Sequence, residues 1–168
     1  MNFLKYFFIF SFLLISNHVS ANTNVVFVDI DFLIQKSNLG KKVLKKIETN
    51  NLEKKEFLKN EESKLRIKDS EIKKKKNIIS NDQYQKEIDL LKKNITTFND
   101  KKKTTINEFN KFKADELNKI LEKFNKIIKL YMEEKSIQIV LNQKNLYMGI
   151  SSSDITKDIL VLINNQYK

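Results

Sequence analysis

Apolar residues recur at intervals of seven between residues 41 and 79, which predicts a long helix. The positions three residues further along are mostly charged. Of the two positions that each heptad contributes to the seam, we therefore expect only one to be apolar. The helix is therefore predicted to be only weakly amphipathic. The repeating positions are Leu44, Asn51, Leu58, Leu65, Ile72 and Ile79, and their companions are Ile47, Lys54, Glu61, Lys68 and Lys75.

A second helical pattern follows a turn near residues 78–83. Ser80 and Gln83 have the spacing of a capping box, which predicts that the chain reverses and that a second helix covers residues 81–134. One continuous helix through Ser80 is the alternative, because no glycine or proline enforces the reversal. The apolar stripe shifts by one residue along this helix. Its members are Tyr84, Ile88, Leu91, Ile95, Phe98, Thr105, Phe109 and Phe112, and then Leu117, Ile120, Phe124, Ile127 and Tyr131.

Strand patterns flank this helical hairpin on both sides. The β-branched run Val25–Ile30 predicts a strand, followed by a short helix or turn, and Asn38–Gly40 interrupts the pattern. Alternation over Ile137–Leu141 and the apolar run Leu146–Ile150 predict a β-hairpin. A short final helix is expected over residues 157–164.

These elements together predict a mainly α fold with a small β body. A long antiparallel helical hairpin, residues 41–135, is inserted into a body formed by residues 22–40 and 136–168. The returning helix is longer than its partner, and the excess, Leu117–Tyr131, is its most apolar part. We therefore expect the base of the hairpin to contribute to the body.

The first twenty-one residues have the pattern of a secretory signal peptide. Lys5 precedes an apolar run from Tyr6 to Ile15, and Ala21 is a small residue suited to the cleavage site. A membrane anchor is the alternative, but a run of about ten residues is too short to cross roughly 30 Å of hydrocarbon. Export with cleavage after Ala21 is the prediction.

Composition excludes most kinds of catalytic site. The chain of 168 residues has no cysteine, no proline and two glycines, so it has neither a thiolate site nor a glycine-rich phosphate loop. Its one histidine, His18, lies in the predicted signal peptide. Asp29 and Asp31 are better explained as strand-end or helix-capping residues than as a catalytic pair. We expect no enzyme activity, no cofactor and no metal.

The predicted body is too small to bury a sizeable core by itself. A domain near 50 residues is marginal without a metal or disulfides, so we expect several copies of the chain to pool their strands in one core. The residues predicted to form this shared body are Val26, Val28, Ile30, Ile137, Ile139, Leu141, Leu146 and Met148.

Both ends of the chain resemble the Skp (OmpH) family of periplasmic chaperones. The resemblance lies in the stretch from Val25 to Lys42, in the strand Ile137–Leu141, in Leu146–Tyr147 and in Asp154–Thr156 at the last helix. It implies a homotrimer in the periplasm of a Gram-negative bacterium, with three helical arms enclosing a cavity. Such a trimer holds unfolded outer-membrane proteins without ATP. Alanine is scarce here, unlike in commoner members of that family.

Apolar residues scattered among charges on the hairpin are the candidate contacts for such clients. The alternative is that each simply packs in the seam between the two helices. The candidates are Phe57, Leu58, Leu65, Ile67, Ile72, Phe98 and Phe109.

Two lysine runs on the hairpin are candidates for electrostatic capture of acidic clients, anionic lipid or lipopolysaccharide. A solvated, solubilising face is the alternative. The runs are Lys73, Lys74, Lys75 and Lys76 near the tip, and Lys101, Lys102 and Lys103 on the returning helix.

Two rival functions follow from the same features. The net charge of +11 suits a polyanion-binding protein, but the export signal and the single arginine, Arg66, make nucleic acid an unexpected partner. A structural coiled-coil spacer would need a more regular seam.

Overall fold

A computed structural model describes residues 23–168, and the predicted signal peptide lies outside these residues. Over these residues the chain forms two short strands and four α-helices. In chain order they are β1 (Val25–Val28), α1 (Ile30–Lys36), α2 (Asn38–Lys75), α3 (Asn81–Glu134), β2 (Ile139–Asn142) and α4 (Thr156–Gln166), with 3₁₀ turns at Gln143–Asn145 and Ser151–Ser153.

Helices α2 and α3 form the predicted hairpin, which we call the arm. They contain 38 and 54 residues, so they are about 57 and 81 Å long at 1.5 Å per residue. Ion pairs across the arm join Lys54 to Glu108 and Lys75 to Glu87, so the residue number falls on α3 as it rises on α2. The two helices are therefore antiparallel.

The predicted reversal at the tip is confirmed. The Ser80 hydroxyl accepts a hydrogen bond from the Gln83 N–H at 3.3 Å, and the returning helix has the predicted bounds. The outgoing helix ends earlier than predicted, at Lys75, where the main chain turns through residues 76–80.

The predicted interruption at Asn38–Gly40 is wrong, because α2 begins there. The Ser37 hydroxyl accepts from the Gly40 N–H at 3.0 Å and caps the helix. Gly40 also lies directly against α1, since a Cβ at this position would stand 1.9 Å from the carbonyl oxygen of Ile34. Glycine at this position lets the two helices meet at a sharp corner.

The two strands pair in parallel although the whole arm separates them in sequence. Val26 is opposite Val140, and Phe27 is opposite Leu141. Ile30 is not part of the first strand as predicted, because Asp29 caps α1 by accepting from the Phe32 N–H at 2.9 Å. The second strand begins at Ile139, two residues later than predicted.

The prediction of a β-hairpin over Ile137–Ile150 is wrong, because the single chain forms only the first of its two strands. A 3₁₀ turn follows β2, and residues 146–150 are irregular. Phe27 pairs instead with Asp154 through an isolated bridge, so β1 has partners on both sides. The apolar side chains of Tyr147, Met148 and Ile150 lie in solvent.

One apolar core joins the strands, α1, α4 and the base of α3. Phe124 of α3 is fully enclosed, as are Leu33 of α1 and Ile159 of α4. The premise that a lone subunit lacks a core is therefore wrong, since the arm supplies part of it. The enclosed cluster is Val26, Val28, Leu33, Ile120, Phe124, Ile127, Ile128, Ile137, Ile155, Ile159 and Ile163.

The residues predicted to form a shared body fall into three groups. Val26, Val28 and Ile137 are buried in the core of their own chain, and Ile30 and Leu146 are partly buried. The exposed members are Ile139, Leu141 and Met148, at 43%, 38% and 82% exposure. Exposed side chains can still contact another subunit, whereas the buried ones stabilise the single chain.

Polar contacts fix α4 against both the strand and the arm. The Asp29 N–H donates to the Thr156 hydroxyl at 2.9 Å, at the end of β1. At the other end of α4, the Asn164 amide oxygen accepts from the Asn38 N–H at 2.8 Å. The start of the arm is thereby held to the body from two directions.

We predict that Gly40→Ala lowers the free energy of unfolding by about 2 kcal/mol, because the added Cβ must push α1 and α2 apart. Urea unfolding followed by circular dichroism measures the change. Asn60→Ala, at an exposed position of the same helix, should stay within about 0.5 kcal/mol of the wild type. Equal stability of Gly40→Ala and the wild type would show that the corner has room for a methyl group.

Candidate functional site

The charged companions of the heptad lie at the edge of the seam and bridge the two helices. Lys54 contacts Glu108 at 3.0 Å, and Glu61 contacts Lys101 at 3.5 Å. Along α2 these contacts advance by seven residues, and along α3 they retreat by seven. These ion pairs therefore hold the two helices in one register. The apolar seam contains too few side chains to specify that register strongly by itself.

Ile72 was predicted as a client contact, and the structure corrects this. Its side chain is 1% exposed, enclosed within the hairpin near the tip, as is Leu91 at 5%. A side chain buried between two helices cannot reach a client. The heptad position that made Ile72 conspicuous in sequence is also what places it in the seam.

The other predicted client contacts differ in how much surface they offer. Ile67 and Phe57 are 56% and 39% exposed, away from the centre of the seam. Lys101 places its ammonium 4.4 Å from the centre of the Phe57 ring, a cation–π contact. The remaining candidates, all partly buried, are Leu58, Leu65, Phe98 and Phe109.

Several exposed apolar residues of the arm were missed in sequence because they lie outside the heptad frame. Each lies next to a predicted seam position in the sequence. Their position outside the heptad repeat is the sequence feature that could have identified them as exposed. They are Leu52, Ile78, Leu90 and Ile106, at 58%, 79%, 49% and 45% exposure.

The two lysine runs are only partly neutralised. Lys73 contacts Asp69 at 2.6 Å, and Lys75 contacts Glu87 at 3.0 Å. The hydrogen bond that Lys73 donates to the Asp69 carboxylate raises the pKa of Lys73 above its usual value. Within residues 23–168 no carboxylate pairs with the others, which are Lys74, Lys76, Lys102 and Lys103; Lys101 pairs with Glu61.

A buried carboxylate fastens the arm at its base. The Glu116 side chain is 9% exposed and contacts Lys46 at 2.9 Å and Lys119 at 3.1 Å. Hydrogen bonds from these two ammonium groups, Lys46 first, hold the pKa of Glu116 below its usual value. Lys46 also lies 5.4 Å from the centre of the Phe112 ring, so one lysine ties α2 to α3 twice.

Just above this base, the seam contains an unsatisfied polar atom. The Oδ1 atom of Asn50 is buried and has no hydrogen-bond partner among the described residues. Thr105, across the seam on α3, is also buried, at 8% exposure. The seam is therefore less stable here than at the base, because a buried carbonyl without a donor costs free energy.

Among residues 23–168, the two acidic side chains that follow β1 make structural contacts. Asp29 caps α1, and Asp31 pairs with Lys144. No group of three histidine, cysteine, aspartate or glutamate residues is placed to hold a metal ion in this part of the chain. No helix within it is both long enough and apolar enough to cross a membrane.

The sequence matches the family model described as outer membrane protein (OmpH-like), over residues 24–163. The chain belongs to this family. The OmpH-like match covers the strands, the arm and most of α4, so the resemblance seen at the two ends extends over the arm as well. No curated protein sequence matches the chain.

A solved structure has the same fold. It is described as an OmpH-like outer membrane chaperone from Caulobacter crescentus and matches with a TM-score of 0.79 and 17% sequence identity. The match covers 88% of this OmpH-like chain and 88% of the other. At this identity the likeness concerns the fold, a long helical hairpin on a small body.

We predict that Glu116→Gln is less stable than the wild type at neutral pH and that the difference shrinks in acid. Because the folded pKa of Glu116 lies below the ordinary value of 4.5, its stabilising contribution is present above that pH and is lost as pH falls through the lowered folded pKa. Urea unfolding at several pH values measures this. Glu122→Gln, at an exposed position of α3, is the control, and a pH-independent difference for Glu116→Gln would contradict the prediction.

We predict that Asn50→Leu raises the free energy of unfolding by about 1 kcal/mol, because it replaces an unsatisfied buried amide with an apolar side chain of similar size. Thermal unfolding measures the gain. Asn60→Leu makes the same change at an exposed position of α2 and isolates helix propensity from burial. A loss of stability in Asn50→Leu alone would mean that Oδ1 is satisfied by water.

Proposed function

We propose that this protein is an ATP-independent holdase that binds unfolded outer-membrane proteins in the periplasm and prevents their aggregation. The main support is the arm, a projecting hairpin on which exposed apolar side chains stand apart from one another among charges. Membership of the OmpH-like family supports the same function. The predicted signal peptide supports a periplasmic location, with cleavage after Ala21.

Separated apolar contacts suit a client that must be held and later released. Each exposed side chain, such as Ile67 or Leu52, gives a weak contact that any unfolded chain can satisfy. Several weak contacts on linked arms add to firm retention through effective concentration. The surrounding charges keep the arms from adhering to one another, because exposed apolar patches stay small.

We further propose that three copies assemble through the exposed side of the body. Within the described residues, β2 pairs only with β1, so its other edge is open. An open strand edge with apolar side chains is a template for pairing with another chain. The irregular segment 146–150, with Tyr147 and Met148 in solvent, is suited to supply the pairing strand.

Binding of a polyanion is the second candidate function, supported by the lysines without carboxylate partners on the arm, Lys74, Lys76, Lys102 and Lys103. Anionic lipid or lipopolysaccharide is the expected ligand in that case, and nucleic acid is not. A structural spacer is less well supported, because exposed apolar residues away from the seam serve no purpose in it.

We predict that the purified protein keeps an outer-membrane β-barrel protein soluble after dilution from urea, without nucleotide. Light scattering measures aggregation, and an equal concentration of lysozyme is the control. Capture should slow as salt rises, because the screening length is about 8 Å at physiological ionic strength. Aggregation equal to that of the control would exclude the holdase, whereas a salt-independent rate would exclude only electrostatic steering.

We predict a mass of about 50–55 kDa in sedimentation, corresponding to three processed chains. The double variant Met148→Asp, Ile150→Asp should sediment as a single folded subunit, since the apolar core lies within one chain. Leu52→Asp, Ile67→Asp on the arm is the matched control and should stay trimeric. A wild-type single subunit at micromolar concentration would exclude the proposed assembly.

A further inference from the structure

Three cavities on one side of the arm join end to end. The cavity at the base, about 500 Å³, shares Asn50 and Glu53 with the next cavity, about 460 Å³. That cavity shares Lys101 with a third, about 300 Å³, nearer the tip. The three form one continuous groove between α2 and α3, which we call the arm groove.

Apolar surface recurs along the floor of the arm groove. Phe112 lines the first cavity, Phe57 the second, and Leu65 with Phe98 the third. On α2 the lining residues of the three cavities are centred about six and about eleven residues apart, which corresponds to about 9 and 16 Å along a helix. In an extended chain, at about 3.3 Å per residue, these distances separate side chains about three and about five positions apart.

The walls of the arm groove carry an excess of positive charge. Among the residues that line the three cavities, lysines outnumber glutamates seven to three. Glu61 and Glu108 are already engaged by lysines across the arm. Lys68 makes no ion pair within residues 23–168 and remains available to a ligand.

We infer that the arm groove binds an unfolded, acidic segment of the client, with aromatic side chains in the three cavities and carboxylates against the lysines. This rests on the proposed holdase function and names the part of the client that the arm selects. From Lys42 to Lys68 the groove is about 40 Å long, which accommodates roughly twelve extended residues. The cation–π contact of Lys101 with Phe57 leaves this lysine beside both an aromatic and an acidic partner.

The charge test compares two lysine pairs on the same helix. Lys64 and Lys68 line the groove, whereas Lys55 and Lys59 do not. The second pair is displaced by nine residues, which is two and a half turns, so it lies on the opposite face of α2. Two double variants therefore change the net charge equally on opposite faces of α2. One is Lys64→Glu, Lys68→Glu, and the other is Lys55→Glu, Lys59→Glu.

The probe is a fluorescein-labelled peptide of twelve residues with Tyr at positions 2, 5 and 10, which matches the unequal cavity spacing, and with Asp or Glu between. Fluorescence anisotropy at low salt should give at least tenfold weaker binding to Lys64→Glu, Lys68→Glu than to the wild type. Binding to Lys55→Glu, Lys59→Glu should change less than threefold. Phe57→Ala should weaken binding severalfold, with Leu130→Ala, at an exposed position of α3 outside the arm groove, as its control. Circular dichroism verifies the fold of each variant.

Several results would overturn the inference. Equal losses in the two lysine variants would show a general charge effect, and equal binding of a peptide with Lys in place of the acids would show no charge selection. Single-stranded DNA that binds as tightly, with the same dependence on Lys64 and Lys68, would assign the groove to a polyanion. The aggregation assay separates this from the proposed function, because full protection by Lys64→Glu, Lys68→Glu would overturn the groove and leave the holdase intact.

Discussion

Burial of the last turns of α3 is the interaction on which the rest of the molecule depends. Phe124 and Ile120 are almost completely enclosed between the strands, α1 and α4. Each such side chain contributes about 2–3 kcal/mol by leaving water. Because α3 is one continuous helix, the segment that completes the core also sets the direction of the arm. The arm is therefore an extension of the core.

Anchoring at the base allows the rest of the arm to have a poor apolar seam. Lys46, Glu116 and Phe112 fasten the two helices where they leave the body. Beyond this point polar side chains such as Asn50 take up some of the seam positions, and several apolar residues lie on the flanks. A fully apolar seam would give a stiffer and more stable arm, but it would leave fewer apolar side chains available to a client.

Charge has a structural as well as an electrostatic role in this protein. The cross-arm pair of Lys54 with Glu108 is partly exposed, so it adds little to stability. Equivalent ion pairs join Glu61 to Lys101 and Lys75 to Glu87 further along the arm. Together the pairs fix the register of the two helices, because a slip by one residue would break all of them. The lysines left over face solvent or the arm groove, where they give the surface its positive character.

The sequence by itself determined the features that arise from neighbouring residues. The two long helices, the capped turn at Ser80 and the role of Asp29 follow from spacing, since a helix and its caps form from residues within a few positions of one another. Only the tertiary structure decided the parallel pairing of Val26 with Val140, the lack of a strand at residues 146–150 and the burial of Ile72. These depend on which distant segment occupies the adjacent strand edge or helix face. The sequence shows which side chains are apolar. The packing of elements that are distant in sequence decides whether each of them is buried or exposed to solvent.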